Sequence, residues 1–589
     1  MASSFLQRLR SQKQVVFDQR TEGLLLNELD RYSTQELAGV VTLMKRNGYI
    51  PSTNFVDKWI GRCLTRLRGF SSRDFVTVLY YLSNFRCQTR YEKFVEGWIK
   101  VSIRSISKFD AQGLSNSIYA LSTLEITVPE SFMDKWFITS ERKLCHFNAQ
   151  NLSNSIRALA KMEITVPKSF MDQWFIACGL KLRHFKPQEL SNSIHALGKM
   201  EIILPKRVMH QWFIACEEKL RDFNPQELSI SIYALSNLEI TVPESFMDKW
   251  FIASKKTLPR FDPQGLSNSI YALSNLEITV PGSFMRKWFC ESERRLPEFN
   301  PQNLSNSIYA LSNLKITVPG SFMRKWFCES ERRLPEFNPQ NLSNSIYALS
   351  NLEITVPGSF MRKWFCESER RLPEFNPRNL SNSIYALSNL EITVPESFMD
   401  KWFLASEQKL QEFNLQALLN SVYSFLLLEV EIPETMIQRL STIIRDDDFI
   451  QTKETVSQVL MIDQFVNLSL SKELLSRLYS TYRSIDEVIS SRLQKNVCTH
   501  LSDLGLSIQE EQYLPEVPFI PVDILVSGKK IVIQVDGPCH FTRKNMRKTR
   551  LNTRILEKHG YTVYRISHKE WDFCENKDEF LRENIIKHL

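Results

Sequence analysis

The sequence has no C-x-x-C pair among its eleven cysteines, so nothing in it reads as a clustered zinc or redox centre. Cys290, Cys328 and Cys366 are copies of one helix position, and the thiols read as buried and reduced, in a reducing compartment. The nine histidines show no metal-ligand spacing. No apolar run approaches the roughly 20 residues needed to cross a bilayer, so a membrane partner is not expected. A strong charge of one sign is also missing: 74 Lys and Arg stand against 66 Asp and Glu, a net +8. That mild excess permits an acidic partner without demanding one. Hydrophobic residues make up 43%, too many for a disordered chain.

What the sequence has is a period. Phe109, Phe147, Phe185, Phe223, Phe261, Phe299, Phe337, Phe375 and Phe413 stand 38 residues apart. Trp136, Trp174, Trp212, Trp250, Trp288, Trp326, Trp364 and Trp402 keep the same step, 27 residues after each Phe. Tyr32 and Phe70 extend the register backwards, the latter with one inserted residue before Trp98. Such self-similarity predicts a mostly α fold: an α-solenoid of about eleven 38-residue helix pairs over 32–445. Residues 1–31 read as an N-terminal cap or targeting segment. Its basic residues Arg8, Arg10, Lys13 and Arg20 against Asp18 suit a weak transit peptide or an ordinary exposed helix equally. Residues 446–516 read as a helical linker and 517–589 as a separate α/β domain.

The unit beginning at Phe299 shows how each repeat is built. Asn300 reads as an N-cap and Pro301 as the first helical residue. Leu304, Ile308 and Leu311 form a buried stripe. Ile316 to Pro319 reads as a turn, because β-branched residues before a proline disfavour helix. A second helix is predicted from about Ser321 to Leu334, with Phe322, Met323, Trp326 and Phe327 as its core face and Pro335 as its stop.

The polar side of the first helix carries the functional signal. Gln302, Asn306, Tyr309 and Asn313 fall at i, i+4, i+7 and i+11, within about 60° of one another. The stripe recurs as Gln264, Asn268, Tyr271, Asn275 and as Gln340, Asn344, Tyr347, Asn351. It changes to Arg378, Asn382, Tyr385, Asn389 in a fourth unit. It reads Gln150, Asn154, Arg157, Lys161 and Gln188, Asn192, His195, Lys199 in two earlier ones, and Ile230 replaces its first Asn in another. Amides pair with base edges and a tyrosine ring stacks on a base. Acids are absent from the stripe, which suits single-stranded RNA, with the protein as a monomer. A side-chain ladder tying repeats together explains the same residues without a ligand. Variation at Tyr/Arg/His and Asn/Lys over a nearly fixed apolar frame favours the reader.

From Val517 the pattern changes. PVDILVSGKKIVIQVDG reads as two strands joined at Ser527-Gly528, followed by a basic helix ending at Gly560 and a strand YTVYRIS. Between 541 and 558 there are seven basic residues and one acid, Glu557. Lys544, Lys548, Arg550 and Arg554 are candidate phosphate contacts. The segment 521–575 resembles the RAP domain, through Val522-Asp523, IVIQVDGPCHF, KTRLNTRIL, and Gly560-Tyr561 to Glu570-Trp571. The array before it resembles octotricopeptide repeats, and the combination is loosely similar to the mitochondrial FAST-kinase-like family. The resemblance implies a factor that binds specific RNAs and affects their processing, stability or translation. It places the protein in a bacterial cytoplasm or an organelle matrix.

The RAP domain is similar in turn to the PD-(D/E)XK nuclease fold, in which acids on adjacent strands hold Mg²⁺. That similarity makes Asp523, Gln534, Asp536 and His540 the candidate catalytic residues, with Asp523 and Asp536 as metal ligands. Gln534 stands where the second carboxylate is expected, a departure that puts cleavage in question more than binding. Two further readings stay open: a Mg²⁺-dependent ribonuclease guided by the repeats, and a protein-binding scaffold.

Overall fold

The structure is a computed structural model. It describes residues 17–85, 91–238, 240–352, 354–390, 392–446, 452–483, 491–538 and 543–588, together with Leu6 and Leu9. Apart from those two leucines, residues 1–16 of the suggested targeting segment lie outside the described residues. The chain divides into two compact units, Met1–Ser292 and Glu293–Leu589.

Among the described residues there are eleven helix pairs, from Thr34–Arg46 with Thr53–Thr65 to Leu415–Leu428 with Glu434–Asp446. The predicted repeat is accurate to a residue or two. Asn300 caps Pro301–Asn313 and accepts the Asn303 N–H, while Pro301 occupies the first turn, where a missing N–H costs nothing. The second helix is Gly320–Arg333. Pro335 does not simply stop it. The chain tightens into a 3-10 turn, Leu334–Glu336, with the proline inside that turn. A second feature was not foreseen: Lys315, before the predicted turn, has φ 51°, as do Glu125, Glu163, Glu201 and Glu277 within a few degrees at the matching positions. A non-glycine residue is held left-handed there in repeat after repeat.

The recurring tryptophans lock the two helices of each pair. Trp326 is fully buried and its Nε1–H donates to the Leu304 carbonyl at 3.1 Å. Trp288 does the same with Leu266, and Trp364 with Leu342, both at 3.1 Å. Burial of a large ring with its one donor satisfied explains why this position does not vary. Successive first helices pack closely through small residues. A Cβ on Gly198 would meet the Ala234 carbonyl oxygen at 3.1 Å, so the two helices nearly touch backbone to backbone. Cations add a second tie between repeats. Lys143 Nζ donates to the Ser107 and Phe109 carbonyls at 2.8 and 2.6 Å, and Lys409 to Pro373 and Phe375 at 2.6 Å. Each ammonium neutralises carbonyls at the end of the preceding repeat's 3-10 turn.

The thiols are only partly as expected. Cys63, Cys178, Cys216 and Cys498 are buried, but Cys145, Cys290, Cys328 and Cys366 are exposed, and all are free. Cys290 and its copies stand on the outer face of the second helix, where Ile138, Ile176, Ile252 and Leu404 are also exposed.

In the second unit the repeats lead to Lys453–Asp463 and Lys472–Arg483 and then to a four-stranded sheet. Its strands are β1 (Ile508–Tyr513), β2 (Pro521–Val526), β3 (Ile531–Asp536) and β4 (Thr562–Ser567), in that order. The first three are antiparallel neighbours, and β3 pairs with β4 in parallel across the basic helix Arg543–Lys558. Strands β2, β3 and β4 are the three expected from the sequence. Strand β1 is additional: its IQEEQY reads as polar linker because neither face of the strand is deeply buried. The helix Arg492–Asp503 also belongs to this domain: Val497, Cys498 and Leu501 share its core with Ile524, Ile533, Ile566 and Trp571. The domain thus starts well before residue 517.

Candidate nucleic-acid interface

The first helices present the stripe as a set of partly accessible polar groups. Gln302 and Asn313 are exposed, with Asn306 and Tyr309 half-buried between them. Gln340 is exposed, with Asn344, Tyr347 and Asn351 half-buried. In the first unit Gln264 and Asn275 are exposed, with Asn268 and Tyr271 half-buried. The register also places Gln112, Asn116 and Tyr119 on the stripe, which the sequence reading passed over although the 38-residue step reaches them.

The tyrosines meet one another. Tyr309 and Tyr347 ring centroids lie 6.1 Å apart, Tyr347 and Tyr385 6.2 Å, and Tyr233 and Tyr271 6.2 Å. These are contact distances for aromatic pairs, so the ladder considered from sequence is present. The rings are still half-open to the groove at Tyr309 and Tyr347.

The variant units differ in charge. Gln150, Arg157 and Lys161 are exposed, with Asn154 half-buried. Lys161 pairs with Glu125 at 3.1 Å and Lys199 with Glu163 at 3.0 Å, each glutamate being a left-handed residue of the preceding repeat. The Glu left at each repeat end therefore offsets the extra lysine. His195 is half-buried beside Asn192, and burial, then the charges of Arg157 and Lys199, hold its pKa below the usual value, so it is neutral at pH 7.

At the end of the array the stripe is covered. Tyr385 is only 8% exposed and Asn389 4%, although Arg378 remains exposed and Asn382 half-buried. Burial pushes the Tyr385 hydroxyl up to about 12, with Glu454 of the helix Lys453–Asp463 adding to the shift. One repeat later, Gln458 of Lys453–Asp463 donates to Asn420 Oδ1 at 3.2 Å. Tyr385 and Asn389 are thus packing residues, and their assignment to RNA contact is corrected on that ground.

The basic helix explains part of the covering. Arg547 donates to the Leu387, Ser388 and Ile392 carbonyls at 3.2, 3.0 and 3.2 Å. Arg554 donates to the Leu426 carbonyl at 3.0 Å and lies 5.0 Å from the Phe465 ring centroid. Arg554 is therefore a docking residue, not the phosphate contact expected, and Arg547 does the same work unpredicted. Lys548 and Arg550 are exposed on that helix. The Lys544 side chain and His540 lie outside the described residues.

The remaining candidate catalytic residues are occupied. Asp536 is buried, and Arg565 grips both its oxygens, with Nε donating to Oδ2 at 2.7 Å. The Gln534 amide donates to the Pro521 carbonyl at 3.1 Å. Asp523 Oδ2 accepts the Val535 N–H at 2.7 Å, and burial, despite that bond, raises its pKa to about 6. A Mg²⁺ site needs open, ionised carboxylate oxygens. One acid here is matched by a guanidinium, the second position is an amide turned to a carbonyl, and the third is disfavoured as an anion. The described residues do not fit the ion.

Comparison with known families agrees with this architecture. Residues 533–585 match the RAP domain, and residues 125–316 match the Tbc2 translation factor, N-terminal domain. Among solved structures, a chain from a homology model of the full-length AP-3 complex in an intermediate open conformation is 12% identical. The match covers 80% of this chain and 91% of that one, with a TM-score of 0.29. Among the described residues no helix is long and apolar enough to cross a membrane. The chain is therefore a helical-repeat array followed by a RAP domain, a combination that points to an RNA-binding regulator.

Proposed function

We propose that the chain binds single-stranded RNA in a sequence-selective way, as a monomer, along the stripe of its first helices, and so acts in RNA processing, stability or translation. The observation that supports this most is the recurrence of accessible Gln, Asn, Tyr and Asn at one register, without an acid among them, as at Gln302, Asn306, Tyr309 and Asn313. Amides read base edges, and aromatic faces accept any base. Because neighbouring tyrosine rings already touch, a base meets the ring edges that face the groove rather than slotting between two rings. Lys548 and Arg550 of the RAP helix add phosphate contacts. The match to a translation-factor domain supports action at translation, and the exposed free cysteines suit a reducing compartment.

Titration of labelled single-stranded RNA against the full chain at several salt concentrations tests this. Binding should weaken steeply with salt and fall by about tenfold or more in the combined variant Asn306→Ala, Tyr309→Ala, Asn344→Ala. Salt-insensitive binding, or affinity unchanged in that variant, would favour a protein-binding scaffold.

A further inference from the structure

The first unit contains a cavity of about 790 Å³ on the stripe side of its first three repeats. That is within the range of small-molecule sites. Its origin is visible in the register. Where later repeats place Asn and Tyr, the first repeat has Gly39 and Thr42, and the second has Thr77 in the Asn position. Small side chains at reading positions widen the groove.

The lining is chemically specific. Arg46 and Arg73 both line it, both are exposed, and neither is in an ion pair among the described residues. The two acids on the wall are engaged: Asp74 accepts the Ser71 hydroxyl at 2.7 Å, and Asp110 caps the Gly113 N–H at 2.7 Å. Tyr80 supplies an aromatic surface. Its ring is half-buried, 6.1 Å from that of Tyr119 and 5.6 Å from that of Tyr81, and the Lys45 ammonium lies 5.6 Å from its centroid, a third cation beside the ring. Gln112 and Asn116 add amides on the far side. Two guanidiniums, an aromatic ring and amides around one open volume are what a nucleoside phosphate requires.

We propose that this cavity binds a nucleoside phosphate, the base against Tyr80 and the phosphate on Arg46 and Arg73. The source is either one nucleotide of the RNA strand, which rests on the function proposed above, or a free nucleotide. The first three repeats then anchor, where the later ones read.

The test uses the full chain and the double variant Arg46→Gln, Arg73→Gln, with unchanged melting as the check that it folds. The probes are adenosine monophosphate, a 12-nucleotide single-stranded RNA and a polyglutamate peptide. If the strand fills the cavity, the variant loses about tenfold in RNA affinity, and its salt slope falls by roughly 0.7, the share of the one phosphate that the two guanidiniums hold. Tyr80→Leu then also weakens RNA binding. If a free nucleotide fills it, adenosine monophosphate binds saturably to the wild type and not to the variant, while RNA affinity holds. RNA binding that depends on Asn306 and Asn344 but not on Arg46 or Arg73, with no nucleotide binding, overturns the cavity and leaves the stripe standing. Nucleotide binding without any RNA binding does the reverse. Polyglutamate binding as tight as RNA binding, lost in the same variant, would also overturn the proposal in favour of a protein partner.

Discussion

The repeats beginning at Phe337 and Phe375 have first helices that differ at one residue, PQNLSNSIYALSN against PRNLSNSIYALSN. In the first, Tyr347 and Asn351 are half-buried and face the groove. In the second, Tyr385 and Asn389 are buried. The difference comes from what covers them: Arg547 of the basic helix holds the carbonyls of Leu387, Ser388 and Ile392 beside Tyr385 and Asn389. Equal sequence thus gives equal local structure but unequal access. The same Tyr and Asn stay partly accessible in one repeat and pack in the next.

The frame is what the two repeats share, so breaking it should cost the same in both. Trp364→Ala and Trp402→Ala each remove a fully buried ring and its bond to a Leu carbonyl. Each should cost about 3–5 kcal/mol in chemical denaturation. A much smaller loss in either would show that its ring is not packed.

The stripe is where the repeats should separate. Tyr385→Ala should cost about 2–3 kcal/mol of stability by leaving a cavity. Tyr347→Ala should cost under about 1 kcal/mol but weaken RNA binding by about tenfold. Paired melting and binding curves check both, and equal effects on both readouts would erase the distinction.

Removing the cover is the third route. Arg547→Ala leaves three backbone carbonyls without their guanidinium donor and should cost about 1–3 kcal/mol. Hydrogen exchange should then quicken at the end of Pro377–Asn389 and not in Pro339–Asn351. Exchange unchanged in both helices would mean that the basic helix is not held there.

The smallest effect lies in the RAP domain and depends on pH. Asp523 has a carboxyl raised to about 6, above its unfolded value. The protonated form therefore favours folding below the unfolded value. That contribution is lost as pH rises from about 4 through 6, and at neutral pH the buried charge is a net cost. Asp523→Asn keeps an acceptor for the Val535 N–H and should stabilise by about 1–2 kcal/mol at pH 7.5, with little gain at pH 4. Melting at the two pH values checks it, and a loss at pH 7.5 would mean that the charge is compensated.

Much of this was legible in the sequence because it is periodic. The helix pairs, the Asn300 cap, the buried Trp326 and the outward stripe follow from spacing alone. The missed parts are those without a period. β1 has no alternating apolar face to betray it, and Arg554 looks like any solvated cation until the Leu426 carbonyl is placed beside it. The fate of Asp536 was hidden for the same reason. Arg565 reaches it across a parallel strand pair, a neighbour that linear spacing does not reveal.

The most direct test of the central claim is a selection of bound sequences from random single-stranded RNA pools. The units at Phe261, Phe299 and Phe337 carry the same stripe, Gln-Asn-Tyr-Asn, so consecutive repeats that read one nucleotide each must prefer one base. The unit at Phe375 would have extended the run to four, but its Tyr385 and Asn389 are buried. The account predicts enrichment of a run of three like bases, adenine first because amides pair with its edge, and loss of that run in the variant Asn306→Ala, Tyr309→Ala, Asn344→Ala. Enriched sequences without such a run, or a run that persists in the variant, would contradict it.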